Sequence, residues 1–290
     1  MGNLIDAIGN TPLVEIEHFS LKEGVRIFAK LEGNNPGGSV KDRAAHNMIF
    51  SAMERGEITK DTKLIEATSG NTGIALAMIA SVYGLKLELV MPETSTRERT
   101  LTMEAFGAEV TLLENMEICR DYAEEKATKG DYFILNQFSN PDNYKAHIKT
   151  TAPEIWRDTK GEITHFVSSM GTTGTIMGTS IFLKEQNPDI QIVGCQPTEE
   201  SSIPGIRRWP KAYLPKIYDA SRVDRIIDIS QADATKRTRE LTRKEGIFAG
   251  MSSGGAFHAA LQLAEEIDKG IIVFIVCDRG DRYLSSDLFG

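Results

Sequence analysis

The hydrophobic pattern of the chain alternates between two periods. Short apolar runs rich in β-branched residues read as strands, and the longer segments between them repeat their apolar residues at helical spacing. Within 40–55, apolar pairs recur every four residues, at 44–45, 48–49 and 52–53. In the first half this pattern predicts strands at 26–31, 63–67, 87–91, 109–113 and 132–135, and helices at 40–55, 72–83, 95–106 and 117–128.

The pattern restarts in the second half of the chain, after a helix that contains residues 153–156. It predicts strands at 164–168, 191–195 and 270–277, and helices at 175–185, 232–244 and 255–267. Such a β-α repetition favours an α/β fold, here with two lobes. The stretch 197–222 contains Pro204, Pro210 and Pro215 and has only a weak period, so we expect it to line or cover a site.

Composition and charge narrow the class of protein. The 290 residues are 41% hydrophobic and 26% charged, as in an ordinary globular protein, and the net charge is -8. No basic cluster exceeds the pair Arg207 and Arg208, which argues against binding to nucleic acid or to an anionic membrane. No run of about 18 apolar residues and no signal-peptide pattern occurs, so we expect a cytoplasmic protein.

Cysteine and histidine spacing bears on metal binding and redox state. The three cysteines, Cys119, Cys195 and Cys277, lie far apart, and the five histidines are scattered along the chain. Neither set has the spacing of a zinc site, such as C-x-x-C or H-E-x-x-H. We therefore expect reduced thiols and no metal site.

Three junctions combine glycine with serine or threonine near the start of a predicted helix, at 68–73, 171–175 and 252–255. Glycine lets the backbone approach a ligand closely, and the first turn of a helix offers unpaired N–H groups and a positive dipole end. For any single junction, an ordinary cap or turn explains the composition equally well. All three would follow parallel strands, so we expect them to converge on one anion-binding crevice. Nucleotide binding is a weaker explanation, because 171–178 has neither the G-x-G-x-x-G nor the Walker spacing.

Lys41 lies in the first turn of the first long predicted helix, after the turn-forming segment 34–38. We expect Ser39 to be the N-cap, with Asp42 completing a capping box. A lysine is electrostatically misplaced at this end of a helix, which carries partial positive charge. One interpretation is a solvated surface lysine, and the other is a desolvated, nucleophilic amine in a tightly packed site.

Four motifs together resemble those of a known enzyme family. They are N-N-P-G-G-S-V-K-D-R at 34–43, T-S-G-N-T-G at 68–73, S-S-M-G-T-T-G-T at 168–175 and M-S-S-G-G at 251–255. Their order and separations are similar to those of the O-acetylserine sulfhydrylases, or cysteine synthases, which are fold-type II pyridoxal-phosphate enzymes. The resemblance begins at 8–14 and covers nearly the whole chain. It implies a tryptophan synthase β-like α/β fold, in which two open twisted lobes hold pyridoxal 5'-phosphate in the crevice between them.

The resemblance also implies lobe boundaries and residue roles. Residues 33–144 would form a smaller, mobile lobe that binds the substrate carboxylate, and 1–32 with 145–290 a larger lobe that binds the cofactor phosphate and pyridine ring. Lys41 would hold the cofactor aldehyde, Asn71 would contact the ring 3'-oxygen and Ser252 would face the pyridine nitrogen. The phosphate would lie on Gly171, Thr172, Thr173, Gly174 and Thr175. The substrate carboxylate would lie on Thr68, Ser69, Asn71, Thr72 and Gln137.

The implied reaction is a β-replacement through an α-aminoacrylate, in which O-acetyl-L-serine and sulfide give L-cysteine and acetate, with Lys41 as both tether and general base. The segments 201–210 and 277–285 are similar to the bacterial B-type branch of the family. That similarity implies that thiosulfate is also accepted, giving S-sulfocysteine, and that Arg207 and Arg208 border the substrate mouth. Alternatives of the same fold are an O-phosphoserine sulfhydrylase and a serine or threonine dehydratase. An alternative of a different class is a non-catalytic relative that binds the cofactor or a partner. The family suggests a homodimer.

Overall fold

The computed structural model describes residues 2–68, 70–130 and 132–290, whose strands form two sheets. The smaller sheet has the strand order β5-β4-β3-β6, and every neighbouring pair in it is parallel. Its strands are β3 (Lys63–Ala67), β4 (Lys86–Pro92), β5 (Glu109–Leu113) and β6 (Phe133–Ile134). All four lie within 33–144, while the exact lobe boundaries stay a prediction.

The larger sheet has the order β1-β2-β10-β7-β8-β9, and only the edge pair of β1 with β2 is antiparallel. Its strands are β1 (Leu13–Glu15), β2 (Val25–Leu31), β7 (His165–Ser169), β8 (Gln191–Pro197), β9 (Arg225–Ile229) and β10 (Gly270–Val276). Parallel sheets are covered by helices on their faces, so their strands read as continuous apolar runs. The central strand β10, with the sequence G-I-I-V-F-I-V, is such a run and is buried along most of its length.

Helices connect the strands and carry the small-residue motifs at their starts. In the described chain they are α1 (Lys41–Glu54), α2 (Asn71–Tyr83), α3 (Arg97–Ala105), α4 (Met116–Thr128), α5 (Pro141–Lys149), α6 (Thr151–Asp158), α7 (Gly174–Gln186), α8 (Gln231–Glu245) and α9 (Met251–Glu266). None of these helices is long and apolar enough to cross a membrane. Each sheet has its own apolar core, and α2, buried from Thr72 to Ala80, belongs to the core of the smaller sheet.

The predicted α-helices and strands match those of the described residues with three omissions, apart from five short 3-10 helices that the pattern does not predict. The pattern misses the edge strands β1 and β9 and the helix α5. An edge strand tolerates charge because one of its sides faces solvent, and β9 accordingly carries exposed Arg225 and Asp228. For this reason β9 lacks the continuous apolar run of the central strands.

The prediction for 252–255 as a strand-to-helix junction is wrong. These residues lie in the first turns of α9, which begins at Met251, and the element before them is α8. A Cβ on Gly254 would lie 2.1 Å from Thr238 Oγ1 and 2.2 Å from the Ala234 carbonyl oxygen. The glycine is required because α9 packs directly on α8.

The predicted capping box at the start of α1 is also wrong. Val40 occupies the N-cap position and makes no side-chain cap bond. In a capping box Ser39 Oγ would accept a hydrogen bond from the Asp42 N–H. It accepts instead from the Lys41 N–H, at 3.2 Å. Asp42 turns back instead and accepts from the Gly37 N–H at 2.6 Å, which closes the turn that leads into the helix.

Candidate active site

Lys41 is the first residue of α1 and is partly buried beside the carboxyl end of β10. The Val40 N–H donates to the Cys277 carbonyl at 2.8 Å, which ties the start of α1 to the residue that follows β10. Among the described residues, no hydrogen bond or ion pair engages the Lys41 amine. The amine is therefore available to a ligand in the crevice.

Ser252 lies in the first turn of α9, close to Cys277. Its carbonyl oxygen accepts from Ser169 Oγ at 2.7 Å, and the neighbouring Ser253 Oγ accepts from the Cys277 N–H at 2.9 Å. Burial raises the pKa of the Cys277 thiol to about 11, although the nearby Lys41 charge acts in the opposite direction. Cys277 is thus a neutral thiol at neutral pH, in the environment of Lys41 and Ser252.

The loop 171–175 follows β7 and starts α7, and we refer to it as the glycine loop. Thr173 has a left-handed backbone at φ 71, and its buried hydroxyl has no hydrogen-bond partner among the described residues. A Cβ would lie 2.7 Å from the Gly205 carbonyl oxygen at Gly171, and 2.0 Å from Asn143 Oδ1 at Gly174. An unpaired hydroxyl at a helix N-terminus is suited to bind an anion. These features fit the phosphate of pyridoxal phosphate.

The loop 68–72 follows β3 and starts α2, and Ser69 lies outside the described residues. Thr72 Oγ1 donates to Gln137 Oε1 at 2.7 Å, joining two buried residues that are 65 positions apart in sequence. Thr68 is buried at the end of β3. We refer to this loop, together with Gln137, as the carboxylate loop, after its predicted ligand.

Asn71 links the carboxylate loop to the C-terminal segment of the chain. Its Nδ2 donates to Asp278 Oδ2 at 2.7 Å, and its Oδ1 accepts from the Arg282 guanidinium. Arg282 also donates to the Gly37 carbonyl oxygen, in the turn that precedes Lys41. Arg282 therefore connects Asn71 to the turn that leads into the helix of Lys41.

The buried carboxyl group of Glu66 binds the backbone at Gln137. Glu66 accepts from the backbone N–H of Asn136 at 3.1 Å and from that of Gln137 at 3.4 Å. Burial raises the pKa of Glu66 from 4.5 to about 7, against the lowering effect of these backbone hydrogen bonds. Asn136 has a left-handed backbone at φ 54. The two hydrogen bonds that Glu66 accepts from Asn136 and Gln137 help to maintain this conformation.

Arg207 and Arg208 lie in the 197–222 segment but differ in their contacts. Arg208 is paired with Asp228 and donates to the Pro197 carbonyl at 2.8 Å. Arg207 has an exposed side chain, and its backbone N–H donates to the Met170 carbonyl at 2.9 Å beside the glycine loop. The 197–222 segment therefore contacts the start of the glycine loop. Of the two arginines, Arg208 forms an ion pair, whereas the Arg207 side chain forms none in the described part of the chain.

Two residues of α5 that the sequence did not single out support the glycine loop. Asn143 Nδ2 donates to Thr172 Oγ1 at 3.1 Å, and His147 Nε2 lies 3.4 Å from Thr175 Oγ1. Burial, reinforced by the charges of Arg43 and Lys41, lowers the pKa of His147 to about 3, so the imidazole is neutral. The sequence signal was the Asn140-Pro141 pair, which is typical of a helix start.

A buried ion network involves Arg43, in the first turn of α1. Arg43 pairs with Glu32 at 2.6 Å and with Glu154 at 2.7 Å, and Lys30 pairs with Glu154 at 2.7 Å. Burial acts to raise the pKa of Glu32, but the charge and hydrogen bonds of Arg43 outweigh it and hold that pKa below its usual range. The network anchors the helix that carries Lys41.

Comparisons with known proteins agree with this geometry. A family model described as pyridoxal-phosphate dependent enzyme matches residues 4–278. The chain belongs to this family, and pyridoxal phosphate is its cofactor. Within the family it is similar over its whole length to cysteine synthases. Cysteine synthase B of Pseudomonas aeruginosa is 57% identical over 289 residues, covering 99% of this chain and 97% of that protein.

Further relatives point the same way. Cysteine synthase B of Escherichia coli is 56% identical over 293 residues, covering 100% of this chain and 97% of that protein. Among solved structures, a hydrogen sulfide-producing enzyme of Fusobacterium nucleatum has a TM-score of 0.93 at 43% identity, with 98% of both chains covered. The cysteine synthase of Entamoeba histolytica has a TM-score of 0.94 at 41% identity, covering 100% of this chain and 90% of that one.

Proposed function

We propose that the protein is an O-acetylserine sulfhydrylase, which converts O-acetyl-L-serine and sulfide into L-cysteine and acetate. The observation that carries the proposal is that no described residue forms a hydrogen bond or an ion pair with the Lys41 amine. Arg282 ties Asn71 of the carboxylate loop to Gly37, just before Lys41. The Lys41 charge also acts on His147, which contacts Thr175 of the glycine loop.

An amino acid joined to pyridoxal phosphate carries two anions, a phosphate and a carboxylate. Each of these anions can bind a loop at a helix start, and the Lys41 amine can bind the cofactor aldehyde. The curated relatives named cysteine synthase B support the same activity.

In this proposal the two loops bind and orient the ligand. The glycine loop, from Gly171 to Thr175, holds the phosphate with its backbone N–H groups and the unpaired Thr173 hydroxyl. Thr68, Ser69, Thr72 and Gln137 hold the substrate carboxylate, and Asn71 contacts the ring 3'-oxygen. Ser252 faces the pyridine nitrogen. Bound pyridoxal phosphate supplies the electron withdrawal that makes the Cα proton acidic and lets acetate leave from Cβ.

Lys41 has two roles in the proposed reaction. Its Nζ would hold the cofactor aldehyde, and it would be a free amine once the substrate is bound. The free amine then removes the proton from Cα, acetate leaves from Cβ, and sulfide adds to Cβ. Lys41 would return the proton to Cα and would then be free to hold the cofactor again as cysteine leaves. One side chain therefore tethers the cofactor and moves the proton in both directions.

Residues 33–144 are proposed to move as the smaller lobe and to close on the carboxylate. The Asn71 contacts with Asp278 and Arg282 bridge this lobe and the C-terminal segment. Closure would exclude water while the reactive form of the substrate waits for sulfide. Thiosulfate is proposed as a second donor, received near the exposed Arg207.

The direct test is to supply the purified holoenzyme with O-acetyl-L-serine and sulfide and to measure cysteine. Lys41→Ala should still bind the cofactor and the amino acid, yet form cysteine at least 1,000-fold more slowly, because the proton transfer loses its base. Lys145→Ala, which removes an exposed lysine on α5, is the matched control and should leave the rate unchanged. Cysteine formation at the normal rate by Lys41→Ala would refute the proposal.

The choice of substrates needs separate rate measurements. Rates with sulfide and thiosulfate define the sulfur donor, and rates with O-acetylserine and O-phosphoserine define the carbon donor. Faster turnover of O-phosphoserine would replace the proposal with the alternative sulfhydrylase. A homodimer and a cytoplasmic location are also proposed, from the family, and light scattering and cell fractionation test them.

A further inference from the structure

Asn143 lies where the glycine loop and the carboxylate loop come together. Its side chain is 2% exposed. Its Nδ2 donates to the Gln137 carbonyl oxygen at 2.7 Å and to Thr172 Oγ1 at 3.1 Å. Gln137 in turn accepts from Thr72 in the carboxylate loop. A single amide nitrogen, with one hydrogen for each loop, therefore connects the two candidate anion sites.

The packing around Asn143 leaves the glycine loop no room to move toward α5. A Cβ on Gly174 would lie 2.0 Å from Asn143 Oδ1, so even one added methyl group does not fit. One helical turn further on, His147 contacts Thr175 but has no contact with Gln137 in the described structure. Both α5 residues thus support the glycine loop, and Asn143 alone of the two extends the contact to the carboxylate side.

We propose that Asn143 is a positioning residue that sets the separation of the phosphate site and the carboxylate site and transmits occupation of one to the other. The inference rests on the proposed function, because the two anions are those of an amino acid joined to the cofactor. Such a ligand holds its phosphate and carboxylate at a nearly fixed distance. If the protein holds its phosphate site and its carboxylate site at that same distance, no binding energy is lost in ordering the two loops.

The test uses the phosphorus NMR signal of the cofactor bound to the holoenzyme. L-Alanine is the probe, because it has the carboxylate of the substrate but no leaving group. In the wild type, saturating L-alanine should shift the phosphate signal, since the carboxylate engages Thr72 and Gln137 and Asn143 passes the change to Thr172. In Asn143→Ala the shift should be lost, while the visible spectrum still shows that L-alanine binds.

A matched control removes a second buried amide from the surroundings of α5. Asn47 is 8% exposed, and its Nδ2 donates to the Asp142 carbonyl oxygen at 2.6 Å. Its hydrogen-bond partners are Asp142 and Lys149, so it forms no hydrogen bond with either loop in the described structure. Asn47→Ala should therefore keep the phosphate shift. A shift lost equally in both variants would mean that Asn143 only stabilises the helix, and would overturn the proposal.

Cofactor binding gives a second readout, independent of turnover. Asn143→Ala should weaken the binding of pyridoxal phosphate to the apoprotein about tenfold, because the Thr172 hydroxyl loses a buried partner. Asn47→Ala should bind the cofactor like the wild type. Equal cofactor affinity in Asn143→Ala and the wild type would contradict the inference.

A milder variant covers the case in which Asn143→Ala does not fold. Thr172→Val keeps the hydrogen bond from Asn143 to Gln137 and removes only the acceptor in the glycine loop. This variant too should lose the shift of the phosphate signal on addition of L-alanine. A phosphate signal that moves as far as in the wild type would overturn the proposal. Failure to form cysteine with an intact L-alanine response would refute the proposed reaction and leave the role of Asn143 supported.

Discussion

The indole Nε1 of Trp209 donates a hydrogen bond to the Gly171 carbonyl oxygen at 2.8 Å. The same ring packs edge-on against Phe138, with the ring centroids 5.5 Å apart. Phe138 follows Gln137, so one side chain of the 197–222 segment contacts both the glycine loop and the neighbour of the carboxylate loop. The segment therefore packs against the surroundings of both loops and is more than a connection between β8 and β9.

Trp209→Phe keeps an aromatic ring against Phe138 but removes the donor to Gly171. We expect pyridoxal phosphate to bind about fivefold more weakly, since a typical hydrogen bond contributes about 1 kcal/mol. Fluorescence titration of the apoprotein with the cofactor measures the change. Tyr213→Phe, an exposed position in the same segment, is the control. If both variants bind the cofactor like the wild type, the Trp209 bond has no role in holding the loop.

Removing Arg43 should destabilise the protein strongly. Arg43→Met leaves Glu154 with Lys30 alone and deprives the fully buried Glu32 of its paired cation. Breaking a buried pair in this way costs about 3–5 kcal/mol. Urea unfolding of the apoprotein measures the loss.

The control for Arg43 is an exposed ion pair between β1 and β2 of the larger sheet. Arg26 pairs with Glu15 at 2.6 Å, with its side chain half exposed. Exposed pairs contribute little, so Arg26→Met should leave the free energy of unfolding nearly unchanged. A comparable loss in both variants would show that burial of the network is not what makes Arg43 important.

The sequence predicted the parts of the site whose signal is local. The loops before α2 and α7 combine strand endings with glycine and hydroxyl residues, and these patterns were sufficient to predict the helix starts within a residue or two. Lys41 was recognisable because a lysine is unusual in the first turn of a helix. Its role came from the family resemblance and from the structure around it.

The supporting residues could not be predicted because their meaning depends on distant partners. Asn143 is important through Gln137 and Thr172, which lie 6 and 29 positions away. The segment 252–255, which contains Gly254, was assigned to a strand-to-helix junction, because nothing in the sequence shows that α8 packs against α9 at that position. Pattern identifies a residue type and its local element, whereas the contacts follow from the tertiary fold.

Glu66 should make the stability of the protein depend on pH. Its pKa is about 7 in the folded state, against an ordinary value of 4.5, because burial disfavours the charged form. Below pH 4.5 both the folded and the unfolded states hold the proton. As pH rises from there to 7, the unfolded chain releases the proton first, so the free energy of unfolding falls by up to about 3 kcal/mol.

Glu66→Gln removes this titration and keeps an oxygen that accepts one backbone N–H. The variant should therefore lose less stability than the wild type between pH 4.5 and pH 8, with the difference concentrated in that window. Other groups, Asp42 among them, titrate in both proteins, so the comparison must be the difference between two curves of urea unfolding. Glu57→Gln, at an exposed pair with Arg55, should follow the wild-type curve because exposed pairs contribute little. Parallel curves for Glu66→Gln and the wild type would show that the Glu66 carboxyl is already ionised in the fold, and that the N–H groups of Asn136 and Gln137 outweigh its burial.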